Sequence, residues 1–213
     1  LALLRKGLEF GRSLKLKLSS LERRLKVYSR SPDKLVKKGL CLLQRRVPPL
    51  GGENYDWHWK YLSFRNKTVL DLGADYGSTA DYFLRNGARK VIAVEGNKNY
   101  ANKFYCLLGN DKRIVYLPMW ICSGKTIDSL VELYLPDVVK VDIEGQEKLL
   151  LDVNVGRVKE WLVETHMEQL YQVISKFFVH NGFKVSTVEY GKTLGAPQIK
   201  VLIAKRNEDG KAW

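Results

Sequence analysis

The sequence predicts an α/β fold, a doubly wound and mostly parallel seven-stranded sheet finished by a C-terminal antiparallel hairpin. Three observations predict it. From Lys67 onward, short β-rich runs alternate with helical segments, which calls for parallel strands joined by crossover helices on both faces. The first run ends in a glycine-rich turn, where open α/β sheets bind their ligands. The last two runs, Phe183–Glu189 and Gln198–Ala204, are joined by a loop carrying Gly191, Gly195 and Pro197 instead of a helix, which reads as a hairpin at the sheet edge.

The N-terminal 50 residues stand apart by charge. The whole chain of 213 residues carries a net charge of +13, and residues 1–50 hold 14 Lys and Arg against 3 Asp and Glu. The body is therefore nearly neutral, and the basic character belongs to an extension. Leu14, Leu18, Leu21 and Leu25 fall on one helix face. Ser31-Pro32-Asp33 stops that helix, a second runs over Lys34–Arg46 to Pro48-Pro49, and Gly51-Gly52 marks a boundary. The expected organisation is a basic helical extension over 1–50 and one domain over 51–213, with the aromatic segment Asn54–Phe64 lying against that domain. The extension suits a helical cap over the site, a nucleic-acid footprint or an anionic membrane surface.

The predicted strands are Thr68–Leu72, Lys90–Glu95, Arg113–Leu117, Asp137–Ile143 and Glu160–Thr165, followed by the hairpin. Helices are expected to begin near Ser78, Asn99, Thr126, Glu147 and Met167. No apolar run reaches the roughly 18–20 residues of a spanning helix. The scattered cysteines Cys41, Cys106 and Cys122 fit reduced thiols in the cytoplasm and exclude a Cys-type zinc site. The basic extension leaves room for peripheral membrane association.

The segment VLDLGADYGST (Val69–Thr79) gives D-x-G-x-x-x-G at the carboxyl end of the first strand. This is not the dinucleotide spacing, and no Lys-Ser/Thr pair makes it a phosphate loop. Gly73 permits a tight turn and close backbone approach, and Asp71 can accept a hydrogen bond from an ammonium group. Glu95 ends the second strand 24 positions after Asp71, near the spacing at which an acid meets ribose hydroxyls. Together they point to a nucleoside-like ligand without phosphates, S-adenosyl-L-methionine. Asp71, Gly73, Ala74, Asp75, Tyr76, Gly77, Glu95, Gly96 and Asn97 are its expected contacts, with Gly96 leaving space for adenosine. Ile121, Cys122 and Ser123 are further expected contacts, because they follow the third strand, where the base would sit: Trp120 or Ile121 would pack on it and Ser123 would bond it, while Trp120 fits core packing equally well. Cys122 has no neighbour in sequence that would make it a nucleophile.

A second constellation lies further on. Alternate strand residues share a face, which puts Lys140, Asp142 and Glu144 together in VVKVDIEG, and Glu164 with His166 in VETH. Methyl transfer to a hydroxyl needs alignment and a proton acceptor. His166 is the first choice for base, since an ordinary imidazole titrates near neutrality, and Asp142 the second. Glu144 and Glu164 complete the catalytic set, and Lys140 is expected to neutralise a buried acid. Carboxylates and imidazole at 142, 144, 164 and 166 suit Mg, Mn or Fe. Spacing alone does not show that they converge, so the sequence assigns no metal.

From about Lys67 to Ala204 the chain resembles the class I methyltransferases, and within them the FkbM-type family. The finer resemblance rests on KVDIEGQE (Lys140–Glu147), TIDSL (Thr126–Leu130) and VETH (Val163–His166). That family ends its fourth strand in KIDVEG-E and its fifth in E-x-H, matched here by Lys140, Asp142, Glu144, Gly145, Glu147, Glu164 and His166. The resemblance implies a Rossmann-like methyltransferase fold and O-methylation of a small-molecule, sugar or lipid-linked acceptor. Two other functions remain open: methylation of RNA held by the basic extension, and a cofactor-binding partner subunit without turnover.

Overall fold

The first apolar-rich run, TVLDL, forms strand β1 (Thr68–Leu72), and all five of its residues are buried. Strands β2 (Lys90–Glu95), β3 (Ile114–Pro118), β4 (Val138–Val141) and β5 (Glu160–Thr165) run parallel to it. β6 (Phe183–Val188) and β7 (Lys200–Arg206) close the sheet, with β7 antiparallel to both β5 and β6. The strand order is β3-β2-β1-β4-β5-β7-β6. The computed structural model describes residues 55–189, 196 and 199–206, all within one compact unit. The expected helices and boundary in residues 1–50, and the loop at 191–195 and 197, lie outside the described residues.

Helices cover both faces because each presents one apolar stripe. α1 (Asp56–Trp59) leads into the domain, and α2 (Ser78–Arg85) buries Thr79, Ala80, Phe83 and Leu84. α3 (Lys98–Leu108) buries Phe104 and Leu108. α4 (Gly124–Tyr134) buries Ile127, Leu130 and Val131, and α5 (Glu168–His180) buries Leu170, Ile174 and Phe178. Among the described residues no helix is long and apolar enough to cross a membrane.

Two sequence expectations change. The helix expected from Glu147 is instead a short 3₁₀ turn, Glu147–Asp152, and it begins on a carboxylate turned inward. β4 also ends at Val141 and not at Ile143. The Asp142 amide still donates to the Leu72 carbonyl (3.0 Å). Then Glu144 (φ 55°) and Gly145 (φ 86°) turn the chain through the left-handed region. Strand alternation therefore does not carry Glu144 onto the face of Lys140; a turn brings it to the same place.

The chain proceeds outward from β1 through β2 to β3, and in the other direction from β4 to β5. This reversal opens a crevice at the carboxyl ends of β1 and β4, the position at which such sheets take ligands.

Candidate active site

The crevice is a cavity of about 480 Å3. One wall is the loop after β1. Gly73 adopts φ 79°, and a Cβ there would lie 1.7 Å from the Asp142 carbonyl oxygen. Only glycine lets the β1 loop pass this close to the β4 end. The amides of Gly73 and Ala74 both donate to the Val94 carbonyl (3.0 Å each), which ties the loop to β2. Glu95 then braces the turn, accepting from the Asp75 amide (2.9 Å) and the Asn97 amide (2.6 Å). The Trp120 ring covers Gly96, where a Cβ would approach it to 2.2 Å, while the rest of the indole stays 69% exposed.

Beneath the loop lies a buried charge network. Lys140 is fully buried at the centre of the sheet. Its Nζ donates to the Gly73 carbonyl (2.7 Å) and lies 3.3 Å from Asp71 and 3.4 Å from Asp142. Burial alone would depress this ammonium, but the carboxylates of Asp71 and Asp142 outweigh burial and hold it above its ordinary value. Asp71 also accepts from Thr79 Oγ1 (2.6 Å). The sheet register sets this meeting, because Asp71 lies directly beside Lys140.

The opposite wall carries an imidazole among carboxylates. His166 Nε2 lies 3.6 Å from Glu144, 3.8 Å from Asp142 and 3.8 Å from Glu164. Its Nδ1 lies 3.5 Å from Glu147. Glu147 is fully buried, and its Oε1 accepts from the amides of Ile143 and Gly145 (3.1 Å each). Contact with Glu147, opposed by burial and aided by the Asp142 charge, raises the ring to about 9. His166 therefore holds a proton at neutral pH.

This has a measurable consequence. A raised imidazole value stabilises the fold fully below about 6.5, and that stabilisation disappears as the pH rises through about 9. Between those limits the wild type is expected to lose about 1–2 kcal/mol relative to His166→Gln, a figure reduced because the ring is partly exposed. Chemical denaturation in the presence of EDTA measures it, and parallel stability curves for the two proteins would contradict the assignment.

α1 contributes a third wall. Tyr55 Oη donates to Ser78 Oγ (2.8 Å), and His58 and Trp59 are buried beside the cavity. Burial pushes His58 down to about 4, with the Asp142 charge opposing, so this second imidazole is neutral at pH 7.

No family model matches the chain. The chain is 26% identical over 129 residues to the uncharacterized protein 158B of Sulfolobus islandicus rod-shaped virus 1, covering 58% of this chain and 77% of that one. Among solved structures it is similar to the fibrillarin pre-rRNA processing protein of Methanococcus jannaschii, with a TM-score of 0.53 and 13% identity over 68% of this chain and 69% of the other. It is also similar to the precorrin-6y C5,15-methyltransferase of Geobacter metallireducens, with a TM-score of 0.51 and 15% identity over 84% and 94%. A Listeria monocytogenes protein described as a candidate S-adenosylmethionine-dependent methyltransferase gives a TM-score of 0.51 and 13% identity over 73% and 100%.

The fold is that of the Rossmann-like methyltransferases. At these identities the likeness is one of fold.

Within this methyltransferase fold the predicted residues divide. Gly73, Asp75, Glu95, Gly96, Asn97 and Ile121 line the cavity, as do Asp142, Glu144, Glu164 and His166. The others take different positions. Asp71 is enclosed with Lys140 and Thr79, so its carboxylate lies beneath the loop and outside the cavity lining. Ala74 is buried in the core. Tyr76 packs edge-on against Tyr100, under the Lys103 ammonium. Gly77 precedes α2 and packs on Phe104 and Leu108. Cys122 is exposed. Ser123 accepts from the Thr126 amide as the cap of α4, which uses the hydroxyl expected on a base. At Gly96 the Trp120 ring packs against the glycine, and both border the cavity.

Sequence reasoning missed the part that four residues play. Lys140 was expected only to neutralise an acid, yet it also borders the cavity. His58 and Tyr55 were missed because they lie on no strand end; the only signal was the aromatic density of Asn54–Phe64. Glu147 was carried by the family resemblance alone, with no role attached.

Proposed function

We propose that this chain is an S-adenosylmethionine-dependent methyltransferase that methylates a hydroxyl oxygen. The observation carrying the proposal is that one cavity is bordered on one side by Glu95 and the β1 loop and on the other by Asp142, Glu144, Glu164 and His166. Its volume of about 480 Å3 lies within the roughly 300–1,000 Å3 of small-molecule sites. The acid-rich wall suits the cationic sulfonium and ammonium of the cofactor, and the loop offers no phosphate cradle. Class I methyltransferases among the structural neighbours support the same reading.

When bound, the cofactor supplies an electrophilic methyl group. Glu95 and Asn97 would hold the ribose end and Trp120 with Ile121 the base, which aims the methyl at the β4 and β5 ends. Asp142 is the proton acceptor for the attacking hydroxyl. His166, protonated at neutral pH by its contact with Glu147, balances the surrounding acids and orients the acceptor. The resemblance to the FkbM-type family supports oxygen as the atom methylated, on a small-molecule, sugar or lipid-linked acceptor.

Glu95→Ala is expected to weaken S-adenosylhomocysteine binding at least tenfold in calorimetry, about 1.4 kcal/mol. Unchanged affinity would remove the ribose assignment. Turnover is read as S-adenosylhomocysteine formed over a panel of hydroxyl acceptors and RNA. RNA is included because residues 1–50 carry 14 Lys and Arg; as acceptor it would give turnover that falls steeply with salt. Binding without turnover on any acceptor would favour a non-catalytic subunit.

A further inference from the structure

We propose that Asp142, Glu144 and His166 form a binding site for a divalent cation of the Mn2+ or Fe2+ class at the acceptor end of the cavity. One ligand atom from each lies within 4.8 Å of the other two. They come from two separate strand ends, after β4 and after β5, so their meeting is a product of the fold and not of one acidic stretch.

The orientation of the ring is what separates this cluster from a patch of surface acids. Metal-bound imidazoles typically have their second nitrogen directed at a carboxylate, which fixes tautomer and aim. Here the buried Glu147 stands 3.5 Å from His166 Nδ1, and its position is fixed by two backbone amides. Nothing at the surface demands a carboxylate there, and its Oε2 is buried without a hydrogen-bond partner. Nε2 is thereby turned toward Asp142, Glu144 and Glu164 at 3.6–3.8 Å, and a bound cation would displace the proton that the ring holds without it. Those separations exceed a direct N–H···O bond, and they lie at or just beyond the spacing of ligand atoms around one cation, roughly 3.0–3.6 Å for bonds of about 2.1 Å, so small side-chain movements would close them on an ion.

Charge supports the same conclusion. Asp71, Asp142, Glu144, Glu147 and Glu164 face Lys140 and His166 across this part of the domain. Lys140 is committed to Asp71, Asp142 and the Gly73 carbonyl, while Glu144 stands 3.6 Å from His166 at the outer edge of the cluster. Two carboxylates with one imidazole fit Mn2+ or Fe2+ better than Mg2+, which favours oxygen alone. The remaining coordination positions open toward the cavity and would take oxygen atoms of the acceptor. This last role rests on the methyltransferase reading; the binding of the cation does not.

The test is a titration of the full chain with Mn2+ alone, following free Mn2+ by electron paramagnetic resonance, without cofactor. One saturable site is expected. Glu144→Gln, whose side chain is 86% exposed and whose replacement leaves the core untouched, is expected to weaken it at least tenfold. Glu147→Gln is expected to weaken it about 10–100-fold, the range for loss of an orienting carboxylate. Absence of saturable binding up to 1 mM Mn2+, on the order of the weakest physiological cation sites, would overturn the proposal, and so would binding that both variants leave unchanged. Parallel calorimetry with S-adenosylhomocysteine separates the two claims: nucleoside binding without Mn2+ binding overturns the cation site and leaves the methyltransferase reading standing.

Discussion

Lys140→Met is expected to cost about 3–5 kcal/mol of folding stability. The side chain is fully buried and, among the described residues, is the cation paired with Asp71, which is itself fully buried. Methionine fills nearly the same volume, so packing is conserved and the loss reports the uncompensated carboxylate. The Gly73 carbonyl would also lose its donor, which should loosen the β1 loop. Urea denaturation at pH 7 measures the change. Asp71→Asn combined with Lys140→Met should recover part of the loss, because the buried charge is then removed along with its partner. A single Lys140→Met protein with wild-type stability would show that the network is not charged.

Asp142→Asn is expected to reduce kcat by about 10²–10⁴-fold, the usual contribution of a positioned proton acceptor, with affinity for S-adenosylhomocysteine changed less than threefold. The amide keeps the shape of the side chain, and Lys140 retains Asp71 and the Gly73 carbonyl, so the fold should remain intact. The Asp142 main chain meets the end of β1 and its loop through Leu72 and Gly73, and a side-chain change leaves that contact unaltered. Turnover at the wild-type rate would remove Asp142 from the chemistry and shift attention to the neutral imidazole of His58. Single-turnover measurement separates this from a change in product release.

Much of the fold was legible because hydrophobic periodicity and glycine position are local properties. β1, β2 and β5 begin and end where the sequence predicted, since each is an apolar run bounded by turn residues. β4 was overextended because DIE continues an alternating pattern that Gly145 and the left-handed Glu144 break; alternation alone does not reveal a residue forced to positive φ. Ser123 was assigned to a ligand because a hydroxyl after a strand looks the same whether it meets a base or caps a helix. Only the start of α4 at Gly124 decides between them.

The sequence by itself determined the order of strands and helices, the glycine loop after β1 and the list of acids with one histidine at the ends of β4 and β5. Tertiary structure alone decided how those groups divide. The parallel register sets Asp71 beside Lys140, and burial in that sheet places a residue expected to touch the ligand beneath the loop, outside the cavity lining. The turn after β4 sends Glu147 inward against His166, and proximity to that carboxylate keeps a proton on the ring expected to be the base. Pairwise distance governs both outcomes. Electrostatic energy depends on separation and burial in three dimensions, and neither is written in the spacing of residues along the chain.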